Sequence, residues 1–78
     1  MAKFPVDSPI RDDVKAFERL GFHIVREGNH ISMARDNPDD TRTLLTIPNH
    51  RVLRGSTLRP ILSQASIARD DFLREYRA

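Results

Sequence analysis

The hydrophobic positions near the start of the chain have the spacing of a helix. Four apolar residues recur at intervals of four and three along one helical face, namely Ile10, Val14, Phe17 and Leu20. Ser8 precedes this stripe and can cap a helix, and Pro9 suits a first helical position. Gly21 is placed to end the helix in a left-handed conformation. We therefore expect a first helix between these signals, with residues 1–6 as a loose tail before it.

The next three segments have the alternation and composition of β-strands. They cover residues 22–27, 30–35 and 41–47, and in the third segment Thr43, Leu45 and Ile47 share one side. Gly28 and Asn29 give a turn signal between the first two segments, and residues 36–40 are rich in loop-forming side chains. The pattern predicts a three-stranded antiparallel meander.

The last third of the chain predicts two more helices. With Thr57 as the cap, Pro60 would lie in the first turn, where its missing N–H costs nothing. The buried face of this helix is expected to consist of Leu58, Ile61, Leu62 and Ala65. A short final helix over residues 69–76 would turn Phe72 and Leu73 inward. Because each long helix has one apolar stripe, both should cover the same sheet face. The predicted fold is α+β in the order α-β-β-β-α, with a short C-terminal helix.

Length and composition limit what such a chain can be. Its 78 residues are enough for one domain, expected to span 1–78. It has no cysteine, which excludes disulfides, thiolate zinc sites and cysteine nucleophiles. We see no signal peptide and no apolar window long enough to cross a bilayer, so we expect a cytoplasmic protein without membrane contact. The sequence has no glycine-rich phosphate loop, and its three histidines are scattered, so we expect neither a cofactor nor a metal.

The basic residues are mostly arginine. The chain has 13 basic and 11 acidic residues, and only Lys3 and Lys15 are lysines. A guanidinium group can grip phosphate with two parallel hydrogen bonds, which an ammonium group cannot do. The composition therefore suits a phosphate-containing partner, and it suits an ordinary solvated surface equally well.

His30 is the ionisable residue whose position suggests chemistry. If Ile31 and Met33 face the helices, His30 must project from the opposite face, because strand side chains alternate. Three arginines are expected near it, namely Arg26, Arg35 and Arg42. An imidazole can accept a proton near neutral pH, and beside arginine-bound phosphate it could deprotonate a ribose 2′-hydroxyl. From the residues alone, an exposed histidine at the end of a turn is the simpler interpretation.

Several short motifs, taken in order, resemble one known family. They are Gly21-Phe22, Gly28-Asn29-His30, Ile47-Pro48-Asn49-His50, Thr57-Leu58-Arg59 and Ile61-Leu62-Ser63-Gln64-Ala65. Over about Arg11 to Phe72 the chain resembles the HicA-type mRNA interferase toxins. The resemblance implies a fold like that of double-stranded-RNA-binding domains and a metal-independent endoribonuclease that cleaves mRNA. It also implies a HicB-type antitoxin that binds the toxin and covers its active histidine.

The family motif, carried over residue by residue, makes His30 the catalytic histidine. Asn29 stands where many members have serine, and Ile31 stands where many have a second histidine, so a scheme with two adjacent histidines does not apply. The expected site combines His30 as general base with residues that hold RNA, namely Arg26, Gly28, Asn29, Arg35, Arg42, Arg51 and Arg54. The alternative from another functional class is a non-catalytic RNA-binding module that recognises A-form shape without a histidine.

Overall fold

The computed structural model describes residues 4–77, which contain three helices and five strands joined by turns and loops. In chain order they are β1 (Asp7–Pro9), α1 (Ile10–Arg19), β2 (His23–Glu27), β3 (His30–Asp36), β4 (Arg42–Pro48), β5 (Val52–Arg54), α2 (Gly55–Gln64) and α3 (Arg69–Tyr76). Strands β2, β3 and β4 form an antiparallel sheet with β3 in the centre, and β1 pairs with β5 in a separate two-stranded ladder. The predicted α+β fold with a three-stranded antiparallel sheet is confirmed.

The core lies between the three-stranded sheet and the helices. Alternate residues of β3 and β4 enter it, while the neighbours between them face away, which is the period-two pattern of a sheet covered on one side. The predicted inward residues of α2 and α3 are all buried: Leu58, Ile61, Leu62, Ala65, Phe72 and Leu73. Phe72 lies at the centre, with ring centroids 5.3 Å from Phe17 and 5.6 Å from Tyr76. Full burial of one such side chain contributes about 1.5–3 kcal/mol.

Both long helices begin differently from the sequence prediction. Pro9, not Ser8, is the N-cap residue of α1, because Ser8 lies in β1 and uses its hydroxyl elsewhere. The start of α2 is Gly55, with Arg54 as N-cap, so the prediction of Thr57 as the cap is wrong. The reason is long-range: β5 leads straight into the helix, and the Gly55 N–H donates to the Val6 carbonyl at 2.7 Å.

The segment before β1 is held against the core from Phe4 onward. Phe4 lies 6.1 Å from the Phe72 ring, and the Arg59 guanidinium lies 5.5 Å from the Phe4 ring centroid. A Cβ at Gly55 would come within 2.5 Å of the Pro5 carbonyl oxygen, so this close approach requires glycine. The expectation of a loose tail does not describe residues 4–6, and residues 1–3 lie outside the described part of the chain.

One buried polar pair joins β1 to α1. The Ser8 hydroxyl donates to the Asp13 carboxylate at 2.6 Å, and both residues are buried. Desolvation raises the pKa of Asp13 to about 6; the Ser8 hydrogen bond opposes this shift and the charge of Asp12 adds to it. The second carboxylate oxygen of Asp13 has no hydrogen-bond partner among the described residues. A buried acid of this kind makes stability depend on pH.

Candidate functional site

The face of the three-stranded sheet that points away from the helices is open. Residues directly opposite each other in an antiparallel ladder point to the same side of the sheet. His30 is opposite Pro48, and Ser32 is opposite Thr46. Ile31 and Met33 alternate with these two residues along β3 and are buried in the core. His30 and Ser32 therefore project from the open face. We call this surface the open face.

A β-bulge brings Arg26 onto the same face. Simple alternation in β2 would put Arg26 on the side of Ile24, which pairs with the buried Met33. The register shifts between Ile24 and Arg26, so that Arg26 lies opposite Ser32 instead. The extra residue is Val25, and a bulge of this kind re-aims the side chain that follows it. Arg26 therefore shares the open face with His30.

Beside His30 the open face is concave. The concavity measures about 280 Å³ and is lined by Arg26, Gly28, Asn29, His30 and Ser32. It combines a guanidinium, an imidazole and a hydroxyl, which can respectively bind an anion, exchange a proton and donate a hydrogen bond. Four of the predicted site residues meet here: Arg26, Gly28, Asn29 and His30.

The turn beside this concavity is tied to the segment that follows β4. The Asn49 N–H donates to the Asn29 carbonyl at 3.1 Å, and the Asn49 side-chain amide donates to the Gly28 carbonyl at 2.9 Å. The Gly28 N–H donates across the turn to the His30 carbonyl at 3.0 Å. Asn49 was not among the predicted site residues, although it follows the strand end at Pro48 and belongs to one of the motifs that carry the family resemblance.

Arg35 is on the helix side of the sheet, so its expected place near His30 on the open face is wrong. Its guanidinium carbon lies 4.7 Å from the centroid of the Phe22 ring, and its side chain donates to the Leu20 carbonyl at 3.3 Å. A further hydrogen bond of 3.1 Å joins Arg35 to Asn37. These contacts anchor the end of α1 to the sheet, and they direct the Arg35 side chain away from the concavity.

The other expected RNA-binding arginines are spread over the surface. Arg42 is on the open face at the far end of the ladder, opposite Asp36, to which it donates a hydrogen bond of 3.0 Å. That end lies about 20 Å from His30 along β3, at about 3.3 Å per residue. Arg51 is exposed before β5, and Arg54 lines a separate surface depression with Phe4 and Arg59. Thus Arg42 and Arg54 do not join the concavity at His30.

The chain is similar to one known family. A family model described as the HicA toxin of bacterial toxin–antitoxin systems matches residues 10–67, a range that contains β2 to β5 and the whole concavity. No curated protein matches the chain. Across residues 4–77, none of the helices has the length and apolar character that a bilayer span requires.

Proposed function

We propose that the chain, which belongs to the HicA family of toxins from bacterial toxin–antitoxin systems, is a metal-independent endoribonuclease that cleaves mRNA in the cytoplasm. As a member of this family it is a toxin with a cognate antitoxin. The observation that carries the proposal of cleavage is the placement of His30 and Arg26 around one open concavity. Phosphodiester cleavage without a metal needs a proton acceptor and a group that stabilises the charge on the phosphoryl oxygens, and an imidazole and a guanidinium can fill these two roles.

In the proposed reaction, His30 is the general base. Its imidazole takes the proton of a ribose 2′-hydroxyl, and the 2′-oxygen attacks the adjacent phosphorus. The bond from phosphorus to the 5′-oxygen breaks, and that oxygen takes a proton from water, while the hydroxide that remains recovers the proton from the His30 imidazolium. The products carry a 2′,3′-cyclic phosphate and a 5′-hydroxyl. Arg26 binds the phosphoryl oxygens, where negative charge develops during the attack.

The shape of the concavity favours single-stranded RNA held by its backbone. The lining offers one guanidinium, one hydroxyl and the groups of an exposed turn, all suited to phosphate and sugar oxygens. Apart from the His30 imidazole, the lining has no aromatic ring on which a base could stack. We therefore expect cleavage with relaxed sequence preference, with Arg42, Arg51 and Arg54 outside the cleavage site as secondary contacts to a longer RNA.

The partner that fits this face best is a HicB-type antitoxin that covers His30. Leu44 projects from the open face opposite Ala34 and is 64% exposed. A phosphate backbone offers no apolar surface to such a side chain, whereas a bound protein would bury it. Arg26 and Arg42 are on the same face of the sheet and suit an acidic partner surface. One protein could thus block the cleavage site and cover the exposed leucine together.

The test is an incubation of the purified protein with single-stranded RNA in EDTA. We expect cleavage by the wild type and a loss of about 10²–10⁴-fold in rate for His30→Ala, which is the usual contribution of a general base. His23→Ala is the matched control, because His23 lies opposite Ala34 at the other end of the open face and is exposed. Cleaved ends should carry a 2′,3′-cyclic phosphate.

Two outcomes would contradict this mechanism. Folded His30→Ala protein that cleaves at the wild-type rate would exclude His30 as the base. Salt-sensitive binding of RNA by the wild type without any product after hours would instead indicate the non-catalytic RNA-binding module.

A further inference from the structure

Asn49 makes two hydrogen bonds to the turn that precedes His30. Its N–H reaches the Asn29 carbonyl at 3.1 Å, and its side-chain amide reaches the Gly28 carbonyl at 2.9 Å. Asn49 is the first residue after β4, and the last residue of β4, Pro48, lies opposite His30. Both bonds thus come from the segment directly beside His30 and end on the two residues that lead into it.

The sequence explains why these donors come from position 49. Alternate pairs of an antiparallel ladder are hydrogen-bonded: the pair of Asn29 and Asn49 is bonded, and the pair of His30 and Pro48 is not, so the missing N–H of Pro48 costs no bond to β3. The next residue supplies a main-chain donor, and asparagine adds a second donor from its side chain. The ladder between β3 and β4 is extended by Asn49 past the point where proline ends it.

Packing contributes little to holding this turn. Gly28 and Asn29 are exposed, and a Cβ placed on Gly28 would have no heavy atom within 4 Å. The remaining hydrogen bond of the turn is internal, from the Gly28 N–H to the His30 carbonyl at 3.0 Å. A segment with few buried contacts opens at low free-energy cost unless hydrogen bonds restrain it. Within the described residues, the restraint from outside the turn is Asn49.

We propose that Asn49 is a positioning residue that fixes the β2–β3 turn and so aims the His30 imidazole at the ribose 2′-hydroxyl. This inference rests on the proposed function. Asn49 does not exchange a proton with substrate; it acts through Gly28 and Asn29 on the backbone of His30. A general base must be within hydrogen-bond reach of its proton, and a displacement of about 1 Å can lower a rate by about 10²-fold.

The chain offers a matched control at the opposite end of β3. Asn37 follows β3, and its side-chain amide donates to the hydroxyls of Thr41 at 3.0 Å and Thr43 at 2.9 Å. Asn37→Ala and Asn49→Ala are the same substitution, leave the net charge unchanged and each remove side-chain hydrogen bonds that hold a loop of the same sheet. They differ in which end of β3 they release.

The experiment measures steady-state cleavage of single-stranded RNA and amide hydrogen exchange of the free protein. For Asn49→Ala we expect kcat to fall about 10–100-fold with KM within about twofold of the wild type. Exchange of the Gly28 amide should accelerate about tenfold, because the turn opens more often. Asn37→Ala should leave kcat and the Gly28 exchange rate unchanged.

The outcomes separate this inference from the proposed function. An unchanged kcat in Asn49→Ala, or a rise in KM alone, would overturn the positioning role while cleavage by His30 stands. An equal fall of kcat in Asn37→Ala would overturn it too, because general loosening of the sheet would then explain both. If the wild type cleaves no RNA, the proposed function fails; unchanged Gly28 exchange in Asn49→Ala would then refute the restraint, and faster exchange would support it.

Discussion

The two ends of β3 carry the same kinds of side chain in opposite circumstances. At the end near Asp36, polar groups satisfy one another: Arg35 bonds to Asn37, and Asn37 bonds to Thr43. At the His30 end, the hydrogen bonds and ion pairs formed within residues 4–77 do not involve the side chains of Arg26 or His30. Arg35 and Asn37 are therefore structural at one end, whereas Arg26 and His30 are free to meet a ligand at the other.

This difference shows that composition alone does not identify an RNA-binding arginine. Arg35 and Arg26 are both strand residues of the same sheet, and charge alone makes them equivalent. Arg35 lies over the Phe22 ring, where its stem is packed and its donors are used. Arg26 lines the concavity with its guanidinium exposed to solvent. Whether an arginine can bind phosphate thus depends less on its residue type than on whether its guanidinium already contacts other groups of the protein.

The largest effect on stability that we predict is a pH dependence caused by Asp13. Burial raises the pKa of Asp13 from 3.8 to about 6, so the folded state binds this proton more tightly than the unfolded chain does. The protonated Asp13 carboxyl contributes to the free energy of unfolding, and this contribution is fully present below about pH 4 and is lost as the pH rises through about 6. The shift corresponds to about 3 kcal/mol.

We therefore expect Asp13→Asn to remove this pH dependence and to raise the free energy of unfolding at pH 7 by about 1–3 kcal/mol. Urea unfolding between pH 4.5 and 7.5 measures it. The hydrogen bonds of Thr41 lower the pKa of Asp39, so the effect of Asp39 on stability occurs below the pH range of this measurement. Asp12→Asn, one residue away with the same charge change, is the control and should keep most of the pH dependence. A wild type equally stable at pH 4.5 and 7 would contradict the prediction.

Much of the fold follows from local patterns. The three central strands and α3 lie within one residue of the predicted bounds, because turn signals and alternation are strong there. Gly21 has a φ of +96° and ends α1 in the left-handed conformation that the sequence predicts. The short strands β1 and β5 were not predicted. Three residues carry no period of their own, and the pairing of Ser8 with Leu53 joins distant parts of the chain.

The site was less predictable, because its geometry depends on pairing between strands. Alternation along β3 already separates Arg35 from His30, so its assignment to the open face came from charge rather than pattern. Arg26 reaches the open face only through the bulge at Val25, for which the sequence has no local signal. The bonds of Asn49 connect positions about 20 residues apart, and only the register of β3 with β4 brings them together.

The contrast between the two arginines can be tested by replacing each with alanine. Arg35→Ala should lower the free energy of unfolding by about 1–2 kcal/mol, since it removes the contact with Phe22 and the hydrogen bond to Leu20. RNA affinity should change less than twofold. Arg26→Ala should leave stability within about 0.5 kcal/mol, weaken RNA binding several-fold and reduce the salt slope by about 0.7.

Thermal unfolding and RNA titrations at several salt concentrations, run on both variants, provide the data. If Arg35→Ala weakened RNA binding as much as Arg26→Ala while its stability stayed at the wild-type value, Arg35 would be an RNA-binding residue and its structural role would be wrong. An unchanged salt slope in Arg26→Ala would show that this guanidinium does not contact phosphate.

The smallest predicted effect concerns Asp36, which forms an ion pair with Arg42 at the end of the open face away from His30. Their ion pair has an N–O distance of 3.0 Å, but the side chains are 73% and 54% exposed, so Asp36→Asn should cost at most about 0.5 kcal/mol of stability. The substitution releases Arg42 and removes a negative charge, and we expect RNA to bind about twofold more tightly at low salt. Asp40→Asn makes the same charge change in the neighbouring loop. A larger gain for Asp36→Asn would mean that bound RNA extends from His30 to Arg42, whereas equal gains would mean that only net charge matters and that the RNA contacts one end of β3.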